Sequence, residues 1–224
     1  MGGTTPVTES AHLTFPPGTT FEDPSTAAGG IWQDSLATLR RQDGYQRSYW
    51  GRKVESPNDT DWDSLDAHEK FMAAAEYGPF VKNLVSMLEA PPALHHTAFS
   101  PWPATRALSN TSSPVTELVT FHFPASFADD DNDDDVSSFD ATFAEFAKIV
   151  DEADGFRARA SGWVVEQLEH DKAGKGKAFD LAFGWDSVDA HLQFRETKAF
   201  QDSIGPIRGK VAGVQSCHVS FAEV

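Results

Sequence analysis

Five of the eight histidines in this chain of 224 residues fall on stretches whose pattern reads as β-strand: His12, His95, His96, His122 and His218. Imidazole is the side chain best matched to moving a proton near neutral pH. His12 and His122 stand on strands that open two halves of the sequence, while His95, His96 and His218 stand on strands that close them. A first and a last strand are neighbours in a four-stranded βαββαβ sheet, so one histidine from each could share a cleft. His122 and His218 are the candidate acid–base pair. Tyr49, Trp50, Trp163 and Trp185 are large aromatics at strand positions that would stack against a flat aromatic compound, with His12 and His96 as further lining. Each of these residues also has a plain structural role open to it, as core or as a hydrogen-bonded rim.

His68 and His191 are read differently. They lie in the first turn of a helix, after Ser64 and Ser187 as N-caps and Asp66 and Asp189 near the positive helix end. Their repetition in both halves favours architecture over chemistry, because both halves need the same helix start.

Other chemistries find no support. No Ser-His-Asp arrangement, phosphate-cradling glycine loop or dinucleotide fingerprint is seen, and Gly174-Lys175-Gly176 reads as a turn. Cys217 is the only cysteine, which rules out an intramolecular disulfide and a cysteine-based metal cluster. The run Asp129 to Asp135 lacks the glycine and terminal glutamate of a calcium loop and reads as solvated chain. Neither a metal nor a cofactor is therefore expected. With 18 Lys+Arg against 34 Asp+Glu, the net charge of −16 repels nucleic acid and anionic membranes. No apolar run is long enough to span a bilayer. The expectation is a soluble, cytoplasmic protein in a reducing compartment, with a small molecule as its partner.

The elements that must carry these residues occur twice. Val7-Thr8-Glu9 with Phe15-Pro16 returns as Val115-Thr116-Glu117 with Phe123-Pro124. Gly44-Tyr45, Gly51 and Val54-Glu55 return as Gly155-Phe156, Gly162 and Val165-Glu166. Trp62-Asp63-Ser64-Leu65-Asp66-Ala67-His68 returns as Trp185-Asp186-Ser187-Val188-Asp189-Ala190-His191, with a single difference, and His96 and Phe99 return as His218 and Phe221. Such self-similarity means a repeated structural unit.

The second copy shows the order of elements. Glu117, Val119, Phe121 and Phe123 alternate with Leu118, Thr120 and His122 as a strand buried on both faces. Phe139, Phe143, Phe146, Ile149 and Val150 recur at helical spacing, with Gly155 as the stop. A hairpin is expected from strands at about 156–169 and 178–185 joined by the turn at 172–176. A helix from Ser187 to about Ile204 and a strand from Val214 to Phe221 complete βαββαβ. The fold class is thus α+β, with two tandem ferredoxin-like units at residues 1–100 and 115–224 joined by a Pro/Ser/Thr/Asn-rich linker at 101–114. In copy one only Ser-Pro-Asn-Asp-Thr-Asp separates Glu55 from Trp62, so its third strand is expected to be short or missing. Helices covering one sheet face leave the other bare, and packing the two bare faces together would give an intramolecular pseudo-dimeric barrel, with weak further association through edge strands.

At the Trp-Asp-Ser-x-Asp-Ala-His motif the sequence resembles the dimeric α/β-barrel superfamily, including antibiotic-biosynthesis monooxygenase and stress-responsive A/B barrel domains. Tyr49-Trp50-Gly51-Arg52 and Leu94-His95-His96 before Phe99 resemble its fungal tandem members. The likeness runs from about Val7 to Phe221 and implies a ligand cleft between a unit's sheet and its helices. It also implies a cofactor-independent oxygenase, cyclase or decarboxylase acting on a small aromatic or polyketide-like metabolite. A non-catalytic binding or stress-responsive protein is the alternative. Haem degradation would need an axial histidine facing a wide cleft. Of the two copies, the second, with its complete third strand, is expected to hold the site.

Overall fold

The computed structural model describes residues 5–53, 58–127 and 133–223. They form two compact units, the first from residues 5–50 and 58–96 and the second from 51–53 and 97–223. Val54-Glu55 and most of the aspartate run at 129–135 lie outside the described residues.

The first unit runs β1 (Val7–His12), α1 (Ala27–Leu39), β2 (Tyr45–Trp50), β3 (Asn58–Trp62), α2 (Leu65–Met72), α3 (Tyr77–Val85) and β4 (Ala93–Thr97), the last residue of which counts with the second unit. Its strands lie in the order β2-β3-β1-β4. The third strand is present and short. Its five residues pair antiparallel with β1 on one side and β2 on the other. Thr26 caps α1 by accepting the Gly29 N–H, and Trp32 and Leu36 on the buried stripe of α1 pack with Leu13 and Phe21.

The second unit comprises α4 (Thr105–Leu108), β5 (Val115–His122), α5 (Asp133–Asp151), β6 (Phe156–Trp163), β7 (Leu168–His170), β8 (Gly174–Gly176), β9 (Ala178–Trp185), α6 (Val188–Glu196), α7 (Lys198–Ser203), α8 (Gly205–Arg208) and β10 (Gly213–Val219). Its order β10-β5-β9-β6 places last, first, third and second strands side by side, as in the first unit. This is the antiparallel α+β arrangement of a ferredoxin-like unit. Alternation along β5 sends Val119 and Phe121 into an apolar core with Phe139, Phe143 and Phe146 of α5, while Thr116 and Thr120 face the opposite side of the sheet. There the Thr120 hydroxyl donates to the buried Asp180 carboxylate at 2.7 Å, and Thr97 donates to its other oxygen.

Several local expectations are corrected. The strand expected to reach residue 169 stops at Trp163, and Gly174-Lys175-Gly176, read as a turn, is a strand paired with 168–170. Gly174 takes a positive φ of 73°, which lets the chain turn straight into the pairing. The helix expected from Ser187 to Ile204 is broken, because Thr197 adopts extended backbone and starts a new helix by accepting the Phe200 N–H. Residues 101–114 are no free linker. Ala107 and Leu108 of α4 are buried, α4 packs on β6 and β9, and the Thr116 hydroxyl donates to the Ala107 carbonyl. No closed barrel occurs among the described strand pairings.

Candidate functional site

Four residues of the repeated heptapeptide position the histidine that ends it. In the second unit Trp185 closes β9 fully buried, and the Asp186 carboxylate accepts from Arg157 while its N–H donates to the Gly155 carbonyl at 2.8 Å. Ser187 then caps α6 by accepting the Ala190 N–H at 3.1 Å. The methyl of Ala190 sits so close to Gly155 that a Cβ there would stand 2.7 Å from it, and Gly155 has φ +77°. The turn brings His191 back under the Trp185 ring, with ring centres 5.3 Å apart. The first unit repeats this with Trp62, Ser64, Ala67, Gly44 at φ +85° and His68.

In each unit the histidine meets a second histidine and a glutamate. His191 Nδ1 lies 2.8 Å from His218 Nε2 on β10, and its Nε2 lies 3.2 Å from Glu117 Oε2 on β5. In the first unit His68 Nδ1 is 2.7 Å from His96 Nε2 on β4, and His68 Nε2 is 2.8 Å from Glu9 Oε2 on β1. His96 Nε2 is 3.7 Å from the same oxygen. Glu117 and His218 are register partners on adjacent strands, which places their side chains on one face.

The two triads carry different charge. Burial pushes the Glu117 carboxyl up to about 7, against the opposing pull of the Trp185 indole and Arg195. Burial, with His218 and Arg195 nearby, pushes His191 down to about 3. Near neutral pH this triad therefore rests as an uncharged imidazole beside a carboxyl poised to gain or lose a proton. Burial also raises Glu9, but hydrogen bonds and charge from His68 and His96 outweigh it and hold the carboxyl down to about 2. The first triad thus keeps a carboxylate against its histidines.

Both triads border cavities. In the second unit a space of about 360 Å³ is bounded by Glu117, His191, Trp185, Phe146 and Phe194, with Arg195 and Arg208 also lining it. In the first unit a space of about 100 Å³ is bounded by Glu9, His68, Trp32, Tyr49 and Trp50. Aligned on the repeated motif, Arg195 falls where the first unit has Met72. The second cavity therefore holds a fixed cation that the first lacks.

The sequence-derived candidates scatter. His122 and His218 are not brought together. His122 pairs with Gly213, five positions from the Glu117–His218 pair, and an odd separation along a strand puts it on the opposite sheet face. There His122 stacks on His170 with ring centres 4.5 Å apart and approaches Gln215 at 3.3 Å. His12 is exposed and stacks on His95, whereas His96 lies in the first triad. Trp163 belongs to an aromatic cluster with Phe123, Phe139 and Phe179, its indole N–H donating to Asp140 at 3.0 Å. Trp185 borders the second cavity, and Tyr49 and Trp50 border the first.

Glu9, Glu117 and Arg195 were not among the sequence-derived candidates, and His68 and His191, read there as architecture before chemistry, are the residues at which the two triads meet. One signal pointed to them: the same glutamate stands mid-strand in both copies, in Val-Thr-Glu, where an unpartnered carboxylate would be costly to bury.

No protein-family profile and no curated protein matches the chain. Solved structures share its fold. An anthrone oxidase-like protein superposes over 97% of this chain and 91% of its own, with a TM-score of 0.66 at 16% identity. A candidate monooxygenase of Lactobacillus acidophilus NCFM covers 98% and 96% at TM-score 0.53 and 11% identity. Another, from Fusobacterium nucleatum, covers 97% and 93% at TM-score 0.56 and 11% identity. At such identities the likeness establishes the ferredoxin-like fold. Among the described residues no helix is long and apolar enough to cross a membrane.

Proposed function

We propose that the second unit is a cofactor-independent enzyme of the oxygenase kind, taking a proton from a small aromatic or polyketide-like compound. The observation that carries this reading is the Glu117–His191–His218 triad at the wall of an aromatic-lined cavity of about 360 Å³. His191 and Glu117 border the cavity and are the catalytic residues of the proposal. His218 stands behind His191 and acts as a positioning residue by fixing which ring nitrogen carries the proton. Glu117 in its ionised form takes the proton of an acidic C–H or phenolic O–H, with His191 3.2 Å away holding the carboxylate in place, and the electron pair stays on the substrate as an enolate or phenolate. Arg195, on the exposed side of the cavity wall, would offset part of that developing charge. An enolate of this kind is electron-rich enough to react with dioxygen directly, or with a carbonyl of the same molecule to close a ring. The anthrone oxidase-like neighbour makes anthrones the first compounds to try.

The tandem reading belongs to the same proposal. It rests on the sequence repeat, the shared strand order and the doubled triad, and it makes the chain a single-chain counterpart of a two-subunit protein.

The test is to mix the protein with an anthrone while following tryptophan fluorescence and dioxygen uptake. Quenching with dioxygen uptake is expected, and His191→Gln should lower turnover at least 100-fold while the quenching persists. Unchanged turnover in His191→Gln would remove the assignment. Quenching by a panel of such compounds with neither dioxygen uptake nor conversion would favour the non-catalytic binding protein instead.

A further inference from the structure

The first unit's triad gathers two imidazoles and a carboxylate in one buried place, and the described residues lining its cavity include no lysine or arginine. Glu9, His68 and His96 come from β1, the start of α2 and β4, and all three are buried. One ligand atom from each lies within 4.8 Å of the others. The Glu9 Oε2 separations are 2.8 Å to His68 Nε2 and 3.7 Å to His96 Nε2. Donor atoms held about 2.0–2.2 Å from one zinc ion stand roughly 3–3.5 Å apart, which the two Glu9 separations approach, while His96 Nε2 must leave its 2.7 Å contact with His68 Nδ1 to share an ion with His68 Nε2.

We propose that Glu9, His68 and His96 form a binding site for one divalent first-row transition metal ion, such as Zn²⁺. Two imidazole nitrogens and one carboxylate oxygen are the donor set that suits zinc, iron(II) or manganese(II) and discriminates against calcium and magnesium, which prefer all-oxygen cages. Three protein ligands leave at least one coordination position open. Glu9 and His68 border the cavity of about 100 Å³, so that position faces a small, largely apolar space suited to a water molecule or a compact ligand. The Trp62 ring stacked on His68 at 4.9 Å and the Ser64 cap fix the imidazole's position before the ion arrives.

The second unit supplies the internal control. Glu117, His191 and His218 repeat the residue types, but Arg195 stands where the first unit has Met72 and brings a fixed positive charge to the cavity wall. A guanidinium beside the donors disfavours a dication. The two copies have thus kept one scaffold and divided its uses, a cation in the first and proton transfer in the second.

The experiment strips the full-length protein with a chelator, dialyses it against Zn²⁺ or Co²⁺, and measures bound metal by elemental analysis and the visible spectrum of the cobalt form. One ion per chain is expected. His96→Gln should weaken binding at least 100-fold, and so should Glu9→Gln, whereas His218→Gln should leave the stoichiometry at one. Zn²⁺ should also raise the thermal midpoint of the unaltered protein and of His218→Gln, but not of Glu9→Gln. No retained metal in the unaltered protein would overturn the proposal even if every variant failed to fold. Metal retained equally by His96→Gln and Glu9→Gln, or lost only in His218→Gln, would overturn it as well.

Discussion

His191 Nδ1 stands 2.8 Å from His218 Nε2, joining the first turn of α6 to β10, and His68 and His96 reproduce the contact at 2.7 Å in the other unit. A hydrogen bond between two imidazoles needs one ring nitrogen to donate and the other to accept, so in each pair the proton placement on one ring constrains that on the other. The substitution His218→Gln should therefore lower turnover about tenfold or more and shift the pH profile while leaving KM nearly unchanged. A profile identical to that of the unaltered protein would show that His218 serves only the fold.

Stability should respond to pH through Glu117 and His191 in opposite senses. Glu117 titrates higher folded than unfolded, so its burial destabilises increasingly as pH rises from about 4.5 to about 7. His191 titrates lower folded than unfolded, so its burial destabilises increasingly as pH falls from about 6.5 to about 3. Between about 4.5 and 6.5 the two slopes cancel, and their contribution should be flat. Glu117→Gln removes the alkaline penalty. Relative to the unaltered protein it should gain on the order of 2 kcal/mol between pH 5.5 and pH 8, measured by urea unfolding at both. An equal stability difference at the two pH values would contradict the charge state assigned to the triad.

Arg195 should select for acidic ligands. Replacing it by Met, the residue of the first unit at that place, should weaken binding of carboxylate- or phenolate-bearing aromatics roughly tenfold and leave neutral ones within about twofold. The loss should shrink at high salt because Arg195 is solvent-exposed, and fluorescence titration at two ionic strengths reads both effects.

Gly155→Ala should destabilise the protein by about 1–3 kcal/mol in denaturant unfolding. The left-handed φ of +77° disfavours any side chain, and the new methyl would meet the Ala190 methyl at 2.7 Å. Adding Ala190→Gly to it should recover part of the loss by removing the clash but not the strain. Full recovery would mean that crowding alone set the cost.

Asp180 is the acceptor for two threonine hydroxyls on the sheet face away from the triad. Asp180→Ala should cost about 2–4 kcal/mol, since it leaves Thr97 and Thr120 without that acceptor in a buried place, and Asp180→Asn should cost less. A neutral effect of Asp180→Ala in calorimetry would show that water replaces the carboxylate.

Much of the fold was legible because its determinants are local or periodic. The repeat of Trp-Asp-Ser-x-Asp-Ala-His marked two strand-to-helix junctions, and capping by Ser64 and Ser187 depends only on residues three positions apart. The helical spacing of Phe139, Phe143 and Phe146 foretold the buried stripe of α5. Local signals failed where the chain breaks its own pattern: Thr197 lies inside a stretch read as one helix yet caps a new one, and Gly174 reads as a turn yet enters a strand.

The site was only half legible. Histidines on first and last strands were visible in the sequence, but their faces were not, because both faces of β5 carry apolar residues and alternation then gives no orientation. Tertiary structure decided that His122 and His218 look to opposite sides of the sheet. It also brought Glu117, His191 and His218 together from three elements far apart in the chain. The sequence alone determined which side chains exist in duplicate. Whether a duplicated carboxyl is ionised, as at Glu9, or pushed towards neutrality, as at Glu117, depends on its burial and on the histidine and arginine charges that folding sets beside it.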